Sequence, residues 1–290
     1  MTDALQVKGL RKSYGKKEVL KGIDLCVRKG NIFALLGVNG AGKTTTLECI
    51  EGLRKYDGGS IAINGRMGIQ LQSASLPAHI KGMEAVHLFA KWNKAAVDPT
   101  MLAALGVNDL ASKQYREMST GQKRRLHLAL ALISNPDIVF LDEPTAGLDI
   151  EGRISLHEYI RTLKAQGKTI LLASHDMAEV ESLCDNIAIL KDGRIAFAGT
   201  VNELTETVGK HYNICIKTNQ GTETFEADNI GESLISILKG YQEKKMDIQD
   251  IQVDRGSLEQ HFVRIATPDK GKHINNNKMG CQPYAKHRFR

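Results

Sequence analysis

Apolar residues occur along the chain in short runs that are separated by segments with helical spacing. Residues 32–36, 138–141 and 169–173 are almost continuously apolar, which is typical of strands buried on both faces of a parallel sheet. Parallel strands need long crossover connections, and these connections are usually helices. The pattern therefore predicts an α/β fold with a mostly parallel central sheet.

A second group of runs indicates antiparallel pairing. Residues 5–7, 19–27 and 61–63 follow one another early in the chain, and the last run ends in Asn64-Gly65, a dipeptide typical of hairpin turns. These runs predict an antiparallel β subdomain near the N-terminus. Further along, Asp192-Gly193 separates two short apolar runs and predicts a hairpin there.

The strand-like runs stop between about residues 75 and 120. Apolar residues in this stretch recur instead at helical spacing, as at Met83, Val86 and Phe89. We interpret residues from about 73 to 130 as a helical subdomain inserted into the α/β core. The first domain, including this insertion, is then expected to span residues 1–208.

A smaller module is predicted at residues 209–265, with a tail at 266–290. The predicted elements of the module are strands 212–217 and 222–226, helix 233–238, strand 248–253 and helix 258–265. This order predicts a small α+β domain. The tail is polar and has no apolar periodicity, so we expect it to be disordered.

The positive charge of the chain is concentrated in this tail. The net charge of the 290 residues is +6, and residues 266–290 contain six Lys or Arg and one Asp, so the tail accounts for +5. The remaining residues are nearly neutral, which argues against nucleic acid as a partner. No stretch approaches the roughly 18 apolar residues of a membrane span, and the scattered cysteines suggest a reducing, cytosolic compartment.

The segment after the run 32–36 carries the most specific motif. Residues 37–44, GVNGAGKT, match G-x-x-x-x-G-K-[ST] between a predicted strand and a predicted helix. In that context backbone N–H groups and the helix N-terminus bind phosphate oxygens, Lys43 binds the β- and γ-phosphates, and Thr44 binds Mg²⁺. The residues predicted to contact the nucleotide are Gly37, Asn39, Gly40, Ala41, Gly42, Lys43, Thr44 and Thr45.

Two acidic residues follow the run 138–141. Asp142 and Glu143 stand where α/β sheets bind ligands, at the carboxyl end of a predicted central strand. Successive strand residues face opposite ways, so we expect the two carboxylates to have different roles. Asp142 is predicted to bind Mg²⁺, and Glu143 is predicted to activate the attacking water as general base.

Residues 118–122, MSTGQ, are followed by apolar residues at helical spacing, and Ser119 is predicted to cap that helix. This segment lies between the phosphate loop and Asp142 in the chain. It resembles the signature of ATP-binding-cassette (ABC) ATPases, whose usual form is Leu-Ser-Gly-Gly-Gln. Met118 and Thr120 depart from the usual form. Thr120 adds a side chain where the resemblance places a nucleotide.

Two further residues resemble those that contact the γ-phosphate in this family. Gln72 resembles the glutamine that meets the γ-phosphate, Mg²⁺ and the transporter, with Gln70 as a competing candidate. His175 follows the run 169–173 and resembles the switch histidine. The resemblance therefore adds Gln72 and His175 to Glu143 as catalytic residues.

The resemblance also implies a dimer with a second cassette, most simply an identical copy. In this family two cassettes face head to tail, and each ATP lies between the phosphate loop of one chain and the signature of the other. This arrangement assigns Ser119, Gly121 and Gln122 to nucleotide binding. Asp149 ends a segment that resembles the D-loop at the same interface, and Tyr14 resembles the aromatic residue that stacks on adenine.

The resemblance covers residues 4 to about 205, and the module that follows is similar to the end of bacterial exporter subunits. It implies an ATP-hydrolysing subunit, with ATP and Mg²⁺, bound to an integral membrane permease at the cytoplasmic face of the membrane. The alternative is a soluble ABC ATPase that acts on ribosomes or nucleic acid. The single cassette, without a long coiled coil between Lys43 and Asp142, argues against that alternative. A kinase or GTPase would leave the signature and His175 unexplained.

Overall fold

A computed structural model describes residues 3–70, 75–174, 176–208, 212–227, 229–244, 246–255 and 262. The chain divides into two compact units, Met1–Val201 and Asn202–Arg290. The predicted tail 266–290 lies outside the described residues, and so does the predicted helix 258–265 apart from Phe262.

Strands and helices alternate through the larger unit. Its described strands are β1 (Asp3–Tyr14), β2 (Lys17–Arg28), β3 (Ile32–Leu36), β4 (Gly58–Ile63), β5 (Met67–Gln70), β6 (Ile138–Asp142), β7 (Thr169–Ser174), β8 (Asn186–Lys191) and β9 (Arg194–Gly199). Its described helices are α1 (Lys43–Ile50), α2 (Gly82–Asn93), α3 (Pro99–Ala104), α4 (Thr120–Leu132), α5 (Ile150–Ala165) and α6 (Met177–Leu183), with 3-10 helices at Asn108–Leu110 and Tyr115–Glu117.

The central sheet has the strand order β5-β6-β7-β3-β8-β9. Its strands pair in parallel except β9, which pairs antiparallel with β8. Every residue of β3, β6 and β7 is buried, which explains their continuous apolar runs. The predicted α/β class is therefore confirmed, and the carboxyl ends of β3 and β6 lie at one edge of the sheet, separated by β7.

The hairpin predicted at Asp192-Gly193 joins β8 and β9. Asp192 and Gly193 have φ of 49° and 77°, the two positive values that a type I′ turn requires. Backbone twist in such a turn matches the twist of the flanking strands, so this short signal is sufficient to specify the hairpin.

A second sheet, antiparallel in the order β2-β1-β4, packs against the central sheet through one shared hydrophobic cluster. Leu5 and Leu20 of the antiparallel sheet share this cluster with Phe33 and Phe140 of the central sheet. Asn64-Gly65 follows β4, as expected, but it does not join two strands of one hairpin. The dipeptide instead connects β4 to β5, which belong to different sheets.

The inserted helical region predicted from the sequence contains α2, α3, α4 and the two 3-10 helices. α4 carries buried residues on its inward face, including Leu126, Ala129 and Leu130, as their helical spacing predicts. This region follows β5 and leads directly into β6, so it places the start of α4 and the end of β6 in the same unit.

The smaller unit has a sheet of its own. α7 (Val201–Val208) begins at the last residue of the larger unit, and it is followed by β10 (Tyr212–Thr218), β11 (Gly221–Ala227), α8 (Ile230–Glu243) and β12 (Ile248–Arg255). The strands pair antiparallel in the order β11-β10-β12. Ile214, Ile216, Phe225 and Tyr241 form part of its hydrophobic core with Ile237 of α8.

Candidate functional site

An open cavity of about 280 Å³ lies where β3 meets α1 and where β6 ends. Its lining residues are Val19, Asn39, Gly40, Gly42, Lys43, Thr44, Thr45, Asp142 and Glu143. The cavity brings most of the predicted phosphate loop together with both predicted acidic residues. Gly37 and Ala41 are buried and are not among the lining residues, and Val19 of β2 is a lining residue that the sequence did not reveal.

Glycines determine the path of the loop between β3 and α1. Gly40 and Gly42 have φ of 82° and 110°, a left-handed backbone that other residues rarely adopt. A Cβ added to Gly42 would lie 2.9 Å from Leu20 Cδ2, and one added to Gly37 would lie 2.7 Å from the carbonyl oxygen of Leu190. The loop can pack this closely only because glycine has no side chain at these two positions.

Lys43 begins α1, and its side chain is largely buried. Its Nζ donates hydrogen bonds to the carbonyl oxygens of Gly37 at 2.6 Å and Val38 at 3.5 Å. Burial lowers the pKa of Lys43, while the negative charges of Glu143 and Asp142 raise it. A phosphate in the cavity would offer Nζ a charge-assisted hydrogen bond, which is stronger than a bond to a carbonyl.

Asp142 is the last residue of β6 and is 8% exposed. Burial raises the pKa of its carboxyl, and Glu143 adds to this effect, whereas Lys43 and Arg124 lower the pKa. Arg124 also donates a hydrogen bond of 3.4 Å from Nη1 to the carbonyl oxygen of Asp142. α4 is therefore linked directly to the end of β6 by a residue that the sequence showed only as part of a basic run.

The expectation that Asp142 and Glu143 face opposite ways as strand neighbours is wrong. β6 ends at Asp142, and Glu143 has a left-handed backbone with φ of 51°. The N–H of Glu143 donates to the carbonyl oxygen of Ala173 at 3.0 Å. Because the chain turns here, both carboxylates line the same cavity. Such a backbone costs about 1–3 kcal/mol and is concentrated at functional sites.

Glu51, directly after α1, is a buried acidic residue that the sequence did not single out. It is 7% exposed, and burial raises its pKa to about 7, with smaller contributions from the negative charges of Asp142 and Glu48. The feature of the sequence that could have identified Glu51 is its position directly after the apolar pair Cys49-Ile50. Glu51 is not among the residues that line the cavity, but its carboxyl is close enough to Asp142 to be affected by that negative charge.

Tyr14 lies at the end of β1, is 42% exposed and is not among the lining residues of the cavity. Two cations lie near its ring: Arg54 Cζ is 5.3 Å and Lys12 Nζ is 5.6 Å from the centroid. Both distances are within the range of cation–π attraction. The ring is therefore accessible to solvent and has two cationic side chains beside it.

Ser119, Gly121 and Gln122 lie at the start of α4 and are not among the lining residues of the cavity. Ser119 Oγ accepts a hydrogen bond from the N–H of Gln122 at 3.3 Å, and Gln122 Oε1 accepts one from the N–H of Ser119 at 3.0 Å. This capping box is the one that Ser119 predicted, with glutamine at the third position. Lys113 Nζ also donates to Gln122 Oε1, at 2.9 Å.

The start of α4 packs against residues 146–149 of the same chain. A Cβ added to Gly147 would lie 3.1 Å from Thr120 Cγ2, and one added to Gly121 would lie 3.3 Å from Leu148 Cδ2. Asp149 caps α5, where its carboxylate accepts a hydrogen bond from the N–H of Gly152 at 2.8 Å. The residues predicted for the dimer interface therefore form a second cluster, separate from the lining of the cavity.

Gln72 and His175 lie outside the described residues. Gln70, the competing candidate, is the last residue of β5 and is 3% exposed. Its Oε1 is buried and has no hydrogen-bond partner within the part of the chain that the structure describes. Gln70 is therefore a core residue beside Leu141 of β6, with which it is paired in register.

The cavity offers oxygen ligands of the kind that Mg²⁺ prefers. Within the described ranges, no group of three or more His, Cys, Asp or Glu side chains is placed to hold a metal ion. Mg²⁺ at phosphate-transfer sites needs fewer protein ligands, because it is held by one or two carboxylates together with the substrate phosphates. The Thr44 hydroxyl and the Asp142 carboxylate, which line one cavity, fit that requirement.

Comparison with known proteins identifies the family to which these motifs belong. The family model described as "ABC transporter" matches residues 20–146. The daunorubicin resistance ATP-binding protein DrrA3 of Streptomyces coeruleorubidus is 30% identical in an alignment that covers 92% of this chain and 97% of that protein. The Nod factor export ATP-binding protein I of Ralstonia nicotianae is 37% identical over 72% of this chain and 71% of its own length.

A solved structure of an ATP-binding subunit of an ABC transporter superposes with a TM-score of 0.66 at 29% identity, covering 70% of this chain and 92% of that chain. Among the residues that the structure describes, no helix combines the length and the apolar character that crossing a membrane requires.

Proposed function

The chain belongs to the ATP-binding subunits of the ABC transporter family, and from this premise we propose that it powers a membrane exporter by binding and hydrolysing ATP between two cassettes. The observation that carries the proposal is the cavity in which Lys43, Thr44, Asp142 and Glu143 meet. The first two residues suit phosphate and metal binding, and the carboxylates supply charge and a base.

ATP would bind with its phosphates over the N-terminus of α1. Backbone N–H groups of the loop, together with the positive end of the helix, would bind the phosphate oxygens. Lys43 Nζ would exchange its bonds to Gly37 and Val38 for stronger ones to the β- and γ-phosphates. The exposed ring of Tyr14 would hold the adenine base by stacking.

Thr44 and Asp142 would hold Mg²⁺, with Gln72 as a further ligand. The ion would neutralise phosphate charge and orient the γ-phosphate when bound. Glu143 would accept a proton from the attacking water, a role that typically contributes about 10²- to 10⁴-fold to the rate. His175 and Gln72, which follow β7 and β5 in the chain, would contact the γ-phosphate.

The second cluster, around Ser119, would complete the nucleotide site of another copy of the chain. Ser119 and Thr120 are exposed, so a partner can reach them. The close packing of Gly147 and Leu148 against Thr120 and Gly121 supports a role for both segments at one interface. ATP would then join two head-to-tail cassettes, and hydrolysis would weaken that link.

Membership of the family implies a membrane permease as a partner. The names of the relatives, for daunorubicin resistance and Nod factor export, support export rather than import. The match to DrrA3 covers nearly the whole length of that protein, including the part that corresponds to the smaller unit. The permease would choose the transported substrate.

The first experiment tests the site and the dimer together. Glu143→Gln is expected to bind Mg-ATP, form a stable dimer in light scattering and lose at least about 100-fold of the turnover. Glu158→Gln, an exposed residue on α5, is the control and should behave as the parent chain. A Glu143→Gln chain that stays monomeric with Mg-ATP and turns over normally would contradict the assignment.

The second experiment tests the exporter. The Glu143→Gln chain is purified from detergent-solubilised native membranes with Mg-ATP, and the proteins that accompany it are identified. A polytopic membrane protein in stoichiometric amount is the expected result. Recovery of ribosomes or DNA-bound proteins without a membrane subunit would overturn the exporter proposal and leave the nucleotide site intact.

A further inference from the structure

A buried carboxylate on α6 lies close to the candidate site without lining its cavity. Glu179 is 2% exposed, and the cavity is lined by other residues. An acidic side chain is rarely buried to this extent unless it is hydrogen-bonded, because burial removes the water that stabilises its charge. Its partners therefore indicate what the carboxylate does.

The Glu179 carboxylate interacts with side chains from two segments of the chain. Ser174 Oγ, at the end of β7, donates a 2.5 Å hydrogen bond to Glu179 Oε2. The Thr145 side chain is also hydrogen-bonded to the Glu179 carboxylate. Ser174 and Thr145 are themselves 2% and 5% exposed, so the hydrogen bonds lie in the protein interior, where they are strong.

The other oxygen faces a histidine on α5. Glu179 Oε1 lies 3.6 Å from His157 Nε2, which is too long for a hydrogen bond. Both atoms are buried and have no hydrogen-bond partner among the described residues. Burial raises the pKa of Glu179 and lowers that of His157, so both side chains are displaced towards their neutral forms rather than towards an ion pair.

The two partners of Glu179 flank the residues that act on ATP. Thr145 lies two residues after Glu143, and Ser174 directly precedes His175 in the chain. Between them, the N–H of Glu143 donates to the carbonyl oxygen of Ala173 at 3.0 Å. Glu179 thus closes a short network around the left-handed turn at Glu143.

From these contacts we propose that Glu179 is a positioning residue for ATP hydrolysis. By binding Thr145 and Ser174 together, it holds the segment after β6 against the end of β7 and so fixes the direction in which the Glu143 carboxylate enters the cavity. The inference rests on the proposed role of Glu143 as general base. Stability alone would not require this buried polar cluster, since apolar residues of similar volume in place of all its members are often as stabilising.

The test compares Glu179→Ala and Glu179→Gln in the full chain. Loss of the network is expected to lower kcat of the alanine variant about 10- to 100-fold, because small misplacements of a catalytic group have effects of this size. ATP affinity should stay within about 2-fold, since Glu179 does not line the cavity. Glutamine keeps an acceptor oxygen for the two hydroxyl groups and should restore most of kcat.

Glu181→Gln is the matched control, because Glu181 lies on the same helix and is exposed. It should leave kcat and affinity unchanged. Unchanged kcat in Glu179→Ala, or parallel losses of kcat and ATP affinity, would overturn the proposal. A glutamine variant as inactive as the alanine variant would also overturn it, since the hydrogen bonds would then not be the cause.

Two milder variants decide the question if Glu179→Ala does not fold. Thr145→Val and Ser174→Ala each remove one hydroxyl donor, and each should lower kcat without weakening ATP binding. Their double variant should lose less than the product of the single losses, because both act through one carboxylate. Normal kcat in both single variants would overturn the proposal.

Glu143→Gln is measured in parallel. If Glu143→Gln retains full turnover, the proposed role of Glu143 as general base is contradicted, and the proposed function with it. If Glu143→Gln loses turnover while the Glu179 variants keep it, only the proposed role of Glu179 is contradicted.

Discussion

Glu51 provides a test of the electrostatics beside the cavity. Its carboxyl is 7% exposed, and burial together with Asp142 and Glu48 raises its pKa from 4.5 to about 7. The folded chain therefore binds a proton at Glu51 more tightly than the unfolded chain does. We expect Glu51→Gln, which is neutral at every pH, to change the pH dependence of stability.

The sign follows from proton linkage. For an acid whose pKa is raised by folding, the contribution to stability is fully present below the unfolded value, near pH 4.5, and is lost as the pH rises through about 7. One pH unit between the folded and unfolded pKa is worth about 1.4 kcal/mol, so the complete loss is about 3 kcal/mol. Glu51→Gln should avoid this loss.

The assay is urea denaturation at pH 5 and pH 8 without nucleotide or Mg²⁺. Trp92, the single tryptophan of the chain, is already 78% exposed in the folded chain, so the transition is followed by far-UV circular dichroism rather than by tryptophan fluorescence. The free energy of unfolding of Glu51→Gln, relative to the parent chain, should rise between these pH values by most of the predicted 3 kcal/mol (about 2–3 kcal/mol). Glu158→Gln, an exposed control on α5, should show no such rise.

A constant difference between Glu51→Gln and the parent chain across this range would refute the reasoning. It would mean that the Glu51 carboxyl ionises in the folded chain as it does in the unfolded chain. A rise in Glu158→Gln of the same size would refute it as well, because the effect would then follow from net charge rather than burial.

Two further predictions concern the phosphate loop and the antiparallel sheet. Lys43→Met is expected to weaken ATP binding about 10- to 100-fold in isothermal titration calorimetry, since it removes a charge-assisted hydrogen bond to phosphate. Lys16→Met, a change at an exposed lysine, should bind ATP normally. Equal ATP affinities of the two variants would contradict the prediction. Gly59→Ala should lower the free energy of unfolding by more than about 2 kcal/mol, because its Cβ would lie 2.5 Å from the carbonyl oxygens of Lys8 and Gly9. Gly167 is also at positive φ, but its added Cβ would have no described atom within 4 Å. Gly167→Ala should therefore lower the free energy of unfolding by only about 1 kcal/mol. Similar losses of stability for the two alanine variants in urea denaturation would contradict the steric argument.

The sequence by itself determined the features that depend on neighbouring residues. Continuous apolar runs identified β3, β6 and β7, because a strand buried on both faces needs apolar residues at every position. Asp192-Gly193 specified a hairpin through the backbone preferences of two residues. The phosphate loop was recognisable because its chemistry is contained in one short segment between a strand and a helix.

Only the tertiary structure decided which distant residues meet. It brought Lys43 and Asp142 into one cavity with Val19, turned the chain at Glu143 so that both carboxylates share that cavity, and directed Asn64-Gly65 between two sheets. It also buried Glu51 and Glu179. The physical reason is that burial and long-range contacts depend on how strands and helices pack, and no local pattern of residues specifies that packing.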